Sequence, residues 1–584
     1  MTDNKMDSSI SYSLMKYKNE KKPGLNNLKH FLGIKSEVNN PKPSRMVIFI
    51  SCDENADLSD LESHGIIINQ KKGKVRTGLV PLDNINYLQQ DQRINRIAAS
   101  KKLLYKNDVA KTKVHVPAFI NSTNLTGDGV LIGIVDSGID PKHAAFKDKI
   151  LRIWDQTLSG PGVREGKYGL ELSDNLESSR DQVGHGSHVA GISTGSNNNN
   201  QFDGIALKSK LLIVKTDLED AHISDGIRYI FRIAKELGKP CVCNLSLGGH
   251  HDPHDGTDDL SRIINEESGP GRIICCAAGN EGNDDIHSRK IILQNAIVPI
   301  KFRIPPISGD FMLIINCWYP GNDQFDIAIK SPTGFTTPFQ SMNPNNEPLE
   351  YALSEGKVTI LTPPPNDRNN DHNVLIIFDN SSGFNNIKEG IWQILVKGKN
   401  VSTSTGGNFD AWINDSTESI FFYKDSIDDS IKIGSPGCAE NAITVGSFTT
   451  KVKWTDSSGG SQEVQLNEDD ISSFSSEGPL RNRQNKPDLL APGAMICSTL
   501  SSDSTVKPED MVNEKYRIMA GTSMATPFVT GMIALMLEKK PSLSPNDAKE
   551  ILKESCSIPG HGNGQYDIRW GYGLIDASKI IMPN

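Results

Sequence analysis

Continuous apolar runs alternate with helical patterns in most of the chain after residue 116. The runs are GVLIGIV, LLIVKT, CVCNLSL, RIICCAA and AITVGSF. Strands of a parallel sheet look like this because helices cover both of their faces. Between two of the runs, DGIRYIFRIAKELGKP puts Ile227, Ile230, Phe231, Ala234 and Leu237 on one helical face before a Gly-Lys-Pro stop. The pattern predicts an α/β fold with a doubly wound, mostly parallel sheet.

A stretch of short strands interrupts this rhythm. Residues 291–429 contain FDIAIK, NVLIIFDN, GIWQILVKG and FDAWIND, separated by clusters of Gly, Pro and Asn. Alternating runs at this spacing are typical of a β-sandwich. Because the α/β pattern resumes afterwards, the sequence predicts a sandwich inserted into an α/β domain formed by residues 105–290 and 430–584.

The N-terminal part of the chain has a different pattern. Residues 45–104 alternate in the order β-α-β-β-α-β, which predicts a small ferredoxin-like α+β domain. Residues 1–44 are polar and rich in Lys, Asn and Ser, so we expect a flexible leader there.

Composition narrows the possible partners and location. Lys and Arg number 62 against 71 Asp and Glu, a net charge of −9 that argues against nucleic acid as a partner. The start of the chain has no secretory signal pattern, and no apolar run is long enough to span a membrane. The nine cysteines lie mostly in apolar runs, which indicates buried, reduced thiols in a cytoplasmic protein.

Polar residues with catalytic chemistry stand where the apolar runs end. Asp136 closes GVLIGIVD, Ser246 and Gly248 follow CVCNL, and Asn280 follows RIICCAAG. Functional residues collect at the carboxyl ends of strands in parallel sheets. These residues are therefore the first candidates for a functional site.

Two histidines three residues apart occur in GHGSHVAG. His185 and His188 would share one face of a helix, a spacing that suits either a metal ion or one catalytic base beside a structural neighbour. A zinc site would need further ligands, and the HExxH pattern is absent.

A serine opens the longest apolar helical pattern. Ser523 stands in GTSMATPFVTGMIALMLEKK, at the start of a helix expected over residues 523–538. The helix N-terminus favours developing negative charge, so a serine there is well placed as a nucleophile when a base is near. We expect Pro527 to be tolerated because it falls in the first helical turn.

Four blocks of the sequence together resemble the signature blocks of the subtilisin-like (subtilase) serine proteases. The order of Asp136, His185 and Ser523 along the chain is similar to that family's order, and Asn280 in AAGNEG matches its oxyanion asparagine. The resemblance implies that Ser523 attacks the peptide carbonyl, His185 takes its proton and Asp136 orients His185. It covers residues 118–290 and 430–580 and leaves His188 as a neighbour of the base.

The resemblance also implies a primary specificity pocket. Small residues on its walls and floor suggest a slot for a large apolar or aromatic P1 side chain of a protein or peptide substrate, and Glu281 would also admit a basic one. The implied pocket residues are Ser246, Leu247, Gly248, Gly249, Ala277, Ala278, Gly279 and Gly434.

An inhibitory propeptide is a further implication. The domain at 45–104 resembles the family's propeptide, so the chain would be a zymogen with its own propeptide as inhibitor. We expect self-processing near Tyr105, within residues 101–115. An unrelated accessory domain is the alternative. The inserted sandwich loosely resembles the jelly-roll domains of some bacterial subtilases.

Two polar segments offer weaker metal-binding signals. SNNNNQFDG at 196–204 matches the family's calcium loop with Asn198 at a ligand position, but Ala145 replaces the carboxylate ligand. We therefore expect no required cofactor, with calcium optional. HHDPHDGTDD at 250–259 is expected to be a solvated loop in which Thr257 or Asp255 caps the next helix.

Two other functions remain open from the sequence. A catalytically silent subtilase-fold binding or scaffolding protein would require loss of a triad member, and none is lost. A different serine hydrolase, such as an esterase, would carry G-x-S-x-G after a strand, whereas Ser523 lies in G-T-S-M-A.

Overall fold

The chain divides into two compact units, Met1–Lys106 and Asn107–Asn584. Three features of the sequence analysis lie outside the described residues. They are the predicted leader at 1–44 apart from two residues, the junction at Tyr105, and Asn198 of the segment that resembles a calcium loop. The computed structural model describes residues 34–35, 45–69, 71–99, 109–197, 201–307, 311–345, 347–379, 387–414, 419–560 and 564–582.

The first unit contains one antiparallel sheet. Its strands are β1 (Ile34–Lys35), β2 (Arg45–Cys52), β3 (Ile67–Ile68), β4 (Val75–Pro81) and β5 (Ile94–Ala99), with helix α1 (Ile85–Gln90). The order β5-β2-β4-β3, with every pair antiparallel, is that of a ferredoxin-like fold. The first predicted helix is a 3₁₀ helix of only six residues, Ser59–His64, stopped by Gly65 at φ 69°.

The second unit begins with the strands of a large sheet. Strand β6 ends at Asp136, and its side chains alternate between two apolar layers: Ile132 and Ile134 join one core, Leu131 and Val135 the other. A strand buried on both faces requires such an unbroken apolar run. The first six strands of this unit are β6 (Leu131–Asp136), β7 (Ile150–Asp155), β8 (Leu170–Leu172), β9 (Lys210–Lys215), β10 (Cys241–Leu245) and β11 (Arg272–Ala277).

Ten strands follow and form two antiparallel sheets that face each other across an apolar core. One sheet has the order β12-β20-β14-β18-β17-β16 and the other β15-β19-β13-β21, which is a β-sandwich. The strands are β12 (His287–Ile292), β13 (Ile297–Ile304), β14 (Met312–Tyr319), β15 (Gln324–Lys330), β16 (Leu349–Leu353), β17 (Gly356–Leu361), β18 (His372–Asp379), β19 (Gly390–Asn400), β20 (Gly407–Asn414) and β21 (Phe421–Phe422).

The remaining strands complete the large sheet and two small ones. Strand β22 pairs in parallel with β11, so the sandwich is inserted between two neighbouring strands of one sheet. The large sheet runs β30-β31-β26-β22-β11-β10-β6-β9-β7-β8. These last strands are β22 (Ile443–Thr449), β23 (Lys453–Thr455), β24 (Ser461–Glu463), β25 (Asp470–Ile471), β26 (Leu489–Ala494), β27 (Ile496–Thr499), β28 (Met511–Asn513), β29 (Tyr516–Met519), β30 (Cys556–Ser557) and β31 (Leu574–Ile575).

Helices cover both faces of the large sheet. Residues of α4, α7 and α8 join the apolar core on one face, and those of α5 and α6 join the core on the other. The predicted α/β fold with a doubly wound, mostly parallel sheet is confirmed. The helices are α2 (Val109–Lys113), α3 (Val116–Thr123), α4 (His185–Thr194), α5 (Asp220–Glu236), α6 (Asp259–Glu267), α7 (Thr522–Lys539) and α8 (Pro545–Ser555).

The expectation of a solvated loop at 250–259 is wrong. His254 is fully buried, and its ring stacks on Trp412 of β20 with centroids 3.9 Å apart. The side-chain amide of Asn316, on β14, donates to the backbone oxygen of Asp252 at 2.9 Å. Asp258, rather than Thr257 or Asp255, caps α6. The sequence could not show this, because the covering surface comes from the inserted sandwich.

The described residues contain no helix that is both long and apolar enough to cross a lipid bilayer. All nine cysteines lie in the described part of the chain, where they are buried and form no disulfide.

Trp412 should be a main contributor to stability at the contact between the sandwich and the 250–258 loop. Trp412→Ala removes a fully buried ring stacked between His254 and His287, so we expect a loss of about 3–5 kcal/mol of unfolding free energy. Urea unfolding followed by circular dichroism measures it. Trp454→Ala, in a partly exposed hairpin, is the matched control and should cost far less. Equal midpoints for the two variants would contradict the expectation.

Candidate active site

Asp136 and His185 form a hydrogen-bonded pair. Asp136 is the last residue of β6 and His185 the first residue of α4. Nδ1 of His185 lies 2.8 Å from Oδ1 and 3.0 Å from Oδ2 of Asp136. Because the carboxylate accepts, Nδ1 carries the donated proton and the Nε2 lone pair is left to act as a base. Burial disfavours the charged imidazole, but the charge and hydrogen bond of Asp136 outweigh it and raise the pKa of His185.

His188 is in a different environment. Its ring is completely buried, and Nε2 lies 3.3 Å from the backbone oxygen of Arg517. Burial, with a smaller contribution from the Arg517 charge, lowers the pKa of His188 to about 3. His188 therefore stays neutral where His185 can change charge. Among the described residues, no group of three or more His, Cys, Asp or Glu side chains is arranged to hold a metal ion.

Ser523 is the second residue of α7 and is held by a reciprocal pair of hydrogen bonds. Its Oγ donates to the backbone oxygen of Ser246 at 3.2 Å, and the Ser246 hydroxyl donates to the backbone oxygen of Ser523 at 2.9 Å. Within the described residues, no hydrogen bond joins Ser523 Oγ to His185. Hydrogen bonds between a catalytic serine and its base are often long without substrate and tighten only when substrate binds.

The strand register brings these groups to one edge of the sheet. Ile134 of β6 pairs with Asn244 of β10, so Asp136 stands level with Ser246. Helices α4 and α7, which begin with His185 and Thr522, pack against each other on the same face. The acid, the base and the serine thus come from neighbouring elements that all begin or end at this edge.

Pro527 has a role that the sequence analysis misassigned. Helix α7 begins at Thr522, so Pro527 lies in its second turn, and the expectation of a first-turn proline is wrong. A residue with an N–H at this position would donate to the carbonyl of Ser523, four residues earlier. Proline cannot, and the freed carbonyl accepts the hydroxyl of Ser246 instead. The proline thereby opens the contact that ties the serine to β10.

A buried polar chain behind the serine was missed by the sequence analysis. The Asn244 amide donates to the Ser246 hydroxyl at 2.9 Å, and the Thr530 hydroxyl donates to Asn244 Oδ1 at 3.0 Å. A lone Asn inside the apolar run CVCNLSL was the available signal, since a buried amide must find partners.

Asn280 is oriented by the residue before the serine. Its Oδ1 accepts the N–H of Thr522 at 2.8 Å and the hydroxyl of Thr522 at 3.0 Å. The oxygen of Asn280 is therefore occupied. Among the described residues, the Nδ2 group donates no hydrogen bond, so its NH₂ hydrogens are available to a ligand beside Ser523. Gly521, at φ 152°, provides the backbone conformation that turns the chain into α7 at this point.

A cavity of ≈ 100 Å³ lies beside Ser523, and most of the expected pocket residues line it. Ser246 is not on its wall, since its hydroxyl points to the backbone of Ser523. Glycine is required at 434, where a Cβ would lie 2.0 Å from the backbone oxygen of Gly249. The lining residues are Leu247, Gly248, Gly249, His250, Ala277, Ala278, Gly279, Asn280, Glu281, Gly434, Thr522 and Ser523.

Glu281 lies at the junction of this cavity with a larger one of ≈ 520 Å³, whose other wall includes Ile413 and Phe421 near the ends of the sandwich. Its Oε2 accepts the Ser476 hydroxyl at 2.8 Å and lies 3.6 Å from Nε2 of His250. Burial raises the pKa of Glu281, but the bonds to His250 and Ser476 outweigh it and hold the pKa below its usual range. The carboxylate is therefore charged and already has two polar neighbours.

The segment that resembles the family's calcium loop fits the ion poorly. Ala145 is buried and offers no side-chain oxygen, and its backbone oxygen accepts the N–H of Ser196 at 3.0 Å. Asp203 accepts the N–H of Asn197 at 2.7 Å. Calcium sites are built from several converging oxygens, often carboxylates. The described residues of this segment do not provide such a set, and calcium has no part in the reaction proposed below.

Comparisons with known proteins agree with the geometry. The model of the subtilase family, Peptidase S8, matches residues 127–297 and 377–573, which is more than half of the chain. The serine protease AprX of Bacillus subtilis is 41% identical over 128 residues, 21% of this chain and 27% of that protein. The PII-type proteinase of Lacticaseibacillus paracasei is 24% identical over 535 residues, 81% of this chain and 26% of that protein. The matches thus span about a quarter of the length of these relatives.

A solved structure is similar over nearly its whole length. The Clostridium perfringens CspB protease has a TM-score of 0.67 and 25% sequence identity, and the match covers 81% of this chain and 98% of that chain. The fold and the site therefore define a subtilisin-like α/β protein with a serine at a helix N-terminus. The chain belongs to the subtilase family of serine proteases, and the resemblance found in the sequence is confirmed.

The two histidines should titrate differently. We expect the pKa of His185 to lie above the ordinary value and to fall in Asp136→Asn, which removes both the charge and the accepting carboxylate. His188 should stay neutral down to about pH 3. Nitrogen-15 NMR of the imidazole rings measures both, with His188→Gln to assign the signals. An ordinary titration of His188, or a His185 signal unmoved by Asp136→Asn, would contradict this account.

Proposed function

We propose that the protein is a serine endopeptidase that hydrolyses peptide bonds through Asp136, His185 and Ser523. The observation that carries the proposal is the Asp136–His185 hydrogen bond, at the sheet edge where Ser523 begins α7. His185 Nε2 takes the hydroxyl proton as Ser523 Oγ attacks the carbonyl, and an acyl-enzyme forms when the protonated imidazole releases the amine. Water then repeats the sequence and frees the serine.

The tetrahedral intermediate needs donors for its oxygen anion. The NH₂ group of Asn280 and the backbone N–H of Ser523 are the groups we propose for this oxyanion hole. Support comes from Asn280 Oδ1, which is committed to Thr522 and so directs the amide hydrogens away from it. The start of α7 adds the positive end of a helix dipole at the same position.

The substrate is proposed to be a protein or peptide with a large apolar or aromatic P1 residue. The cavity beside Ser523 is walled by glycines and alanines on two sides, which leaves room for such a side chain. We expect Glu281 to attract a basic P1 side chain only weakly. His250 and Ser476 already lie against its carboxylate and partly satisfy its charge. No nucleic-acid or membrane partner is part of the proposal.

The zymogen state is part of the same proposal. The unit at 45–104 has the strand order of a ferredoxin-like domain, which supports its role as an inhibitory propeptide released by cleavage near Tyr105. We further propose that the protein acts in the cytoplasm, where its buried thiols stay reduced, and that calcium is optional.

One observation favours a second candidate, a catalytically silent subtilase-fold binding protein. Ser523 Oγ is bonded to Ser246 rather than to His185. A covalent probe separates the two functions, because only an activated serine reacts with it.

Ser523→Ala should abolish labelling by a fluorophosphonate probe and hydrolysis of labelled casein. Asn280→Ala should keep the labelling site but lower kcat roughly 10²- to 10³-fold, the loss typical of one oxyanion donor. Ser458→Ala, in an exposed turn, is the matched control and should behave as wild type. A folded wild-type protein that neither labels nor hydrolyses would favour the silent candidate.

Self-processing should give a new N-terminus within residues 101–115. We expect the cut just after Tyr105, where the active site would cleave its own chain. Ser523→Ala should retain the intact chain, since it lacks the nucleophile. N-terminal sequencing and intact mass spectrometry of both purified proteins measure this. A fully active wild-type enzyme that still begins at Met1 would contradict the zymogen proposal.

A further inference from the structure

Asp181 is a completely buried carboxylate four residues before His185. Four donors fill its two oxygens. Oδ1 accepts the Ser137 hydroxyl at 2.9 Å and the Gly184 N–H at 2.7 Å. Oδ2 accepts the N–H and the hydroxyl of Ser187 at 2.8 and 2.7 Å. A buried charge of this kind is stable only when it is paired or fully hydrogen-bonded.

The direction of the hydroxyl bonds follows from their other partners. The Ser137 oxygen accepts the N–H of Gly186 at 2.9 Å, and the Ser187 oxygen accepts the N–H of Asp140 at 2.9 Å. Each serine therefore receives a backbone N–H on one side and sends its own proton to Asp181 on the other. All four partners donate, so both oxygens of Asp181 act as acceptors.

These hydrogen bonds fix the backbone immediately before and after His185. Gly184 precedes it, Gly186 and Ser187 follow it, and all three are tied to Asp181 directly or through Ser137. The approach is so close that a Cβ on Gly186 would lie 2.2 Å from the backbone oxygen of Gly138.

The same group also reaches the acid. The backbone N–H of Ser137 donates to Asp136 Oδ1 at 2.7 Å, while the Ser137 hydroxyl donates to Asp181. Ser137 therefore joins the carboxylate that orients His185 to the carboxylate that fixes the start of α4. The two ends of the Asp136–His185 hydrogen bond are held by one connected set of bonds.

Three charged groups act on the His185 ring, and a fourth titratable residue on the same helix, His188, is neutral. Asp136 and Asp181 favour its protonated form, while Arg517 of β29 opposes it and the buried His188 stays neutral. Two negative side chains would thus stabilise an imidazolium formed during acylation.

We propose that Asp181 is a positioning residue of the hydrolysis, which holds the backbone on both sides of His185 and supplies a second negative charge to the imidazolium. The inference rests on the proposed function. Asp181 does not touch substrate, so it acts through His185 and Ser137.

Asp181→Asn tests this, because it keeps the shape, removes the charge and turns an NH₂ group towards two donors. We expect kcat/KM on a chromogenic peptide with an aromatic P1 residue to fall roughly 10- to 100-fold. The acidic limb of the kcat/KM profile should move to lower pH by roughly half a unit or more, since a lost negative neighbour lowers the pKa of His185. A merely structural loss would lower activity and leave the limb in place.

Two variants complete the experiment. Asp155→Asn is the matched control, since Asp155 is equally buried and accepts the Ser179 and Thr157 hydroxyls at 2.7 and 2.6 Å without touching α4. It should destabilise the protein without moving the pH limb. Ser187→Ala removes one hydroxyl and keeps the charge, so it should lower kcat/KM with an unmoved limb, and it provides a milder test should Asp181→Asn fail to fold.

The possible failures are distinguishable. A folded Asp181→Asn enzyme with the wild-type limb and kcat/KM within twofold overturns the positioning role, as does a Ser187→Ala enzyme with wild-type kcat/KM when Asp181→Asn does not fold. A wild-type protein without hydrolysis or fluorophosphonate labelling overturns the proposed function instead.

Discussion

The register between neighbouring parallel strands determines where the chemistry of this protein can occur. Strand β10 pairs with β6 through Asn244 and Ile134, and with β11 through Leu245 and Cys276. The three strands therefore end together, and the residues just after them meet at one edge. A slip of one residue in any strand would turn its last side chain to the opposite face of the sheet.

Polar groups buried in an apolar setting then fix the details. Ser246, Asn244 and Thr530 connect the start of α7 to β10, and Asp181 connects the start of α4 to β6. Both helices present an N-terminal residue to the same edge, and buried polar side chains hold both of them there. Such bonds specify one arrangement, because leaving a buried polar group unpaired costs about 1–3 kcal/mol.

The elements with a regular apolar pattern could be predicted from the sequence, and the contacts between distant elements could not. Asp136 and Asn280 were found because strands buried on both faces have unbroken apolar runs with clear ends. The burial of His254 was missed because its cover, Trp412, lies 158 residues away in the inserted sandwich. Pro527 was misplaced by one helical turn, and its function depends on a carbonyl contact that no sequence pattern reveals. Asp181 was not singled out in the sequence, since only the fold brings Ser137 to it.

The sandwich leaves the large sheet after β11 and returns at β22, and these two strands are direct hydrogen-bonded neighbours. The two ends of the sandwich lie close together, since the N–H of Phe422 donates to the backbone oxygen of Asp285 at 2.8 Å. Most strand pairs of the sandwich join segments far apart in the chain, such as His287 with Trp412 and Ile297 with Lys397, so the sandwich closes its long loop through non-local contacts. Once the sandwich has formed, the segments that lead to β11 and β22 start from neighbouring points. The further loss of chain entropy when these two strands pair is then smaller. The inserted sandwich therefore constrains the long connection between two paired strands of the large sheet.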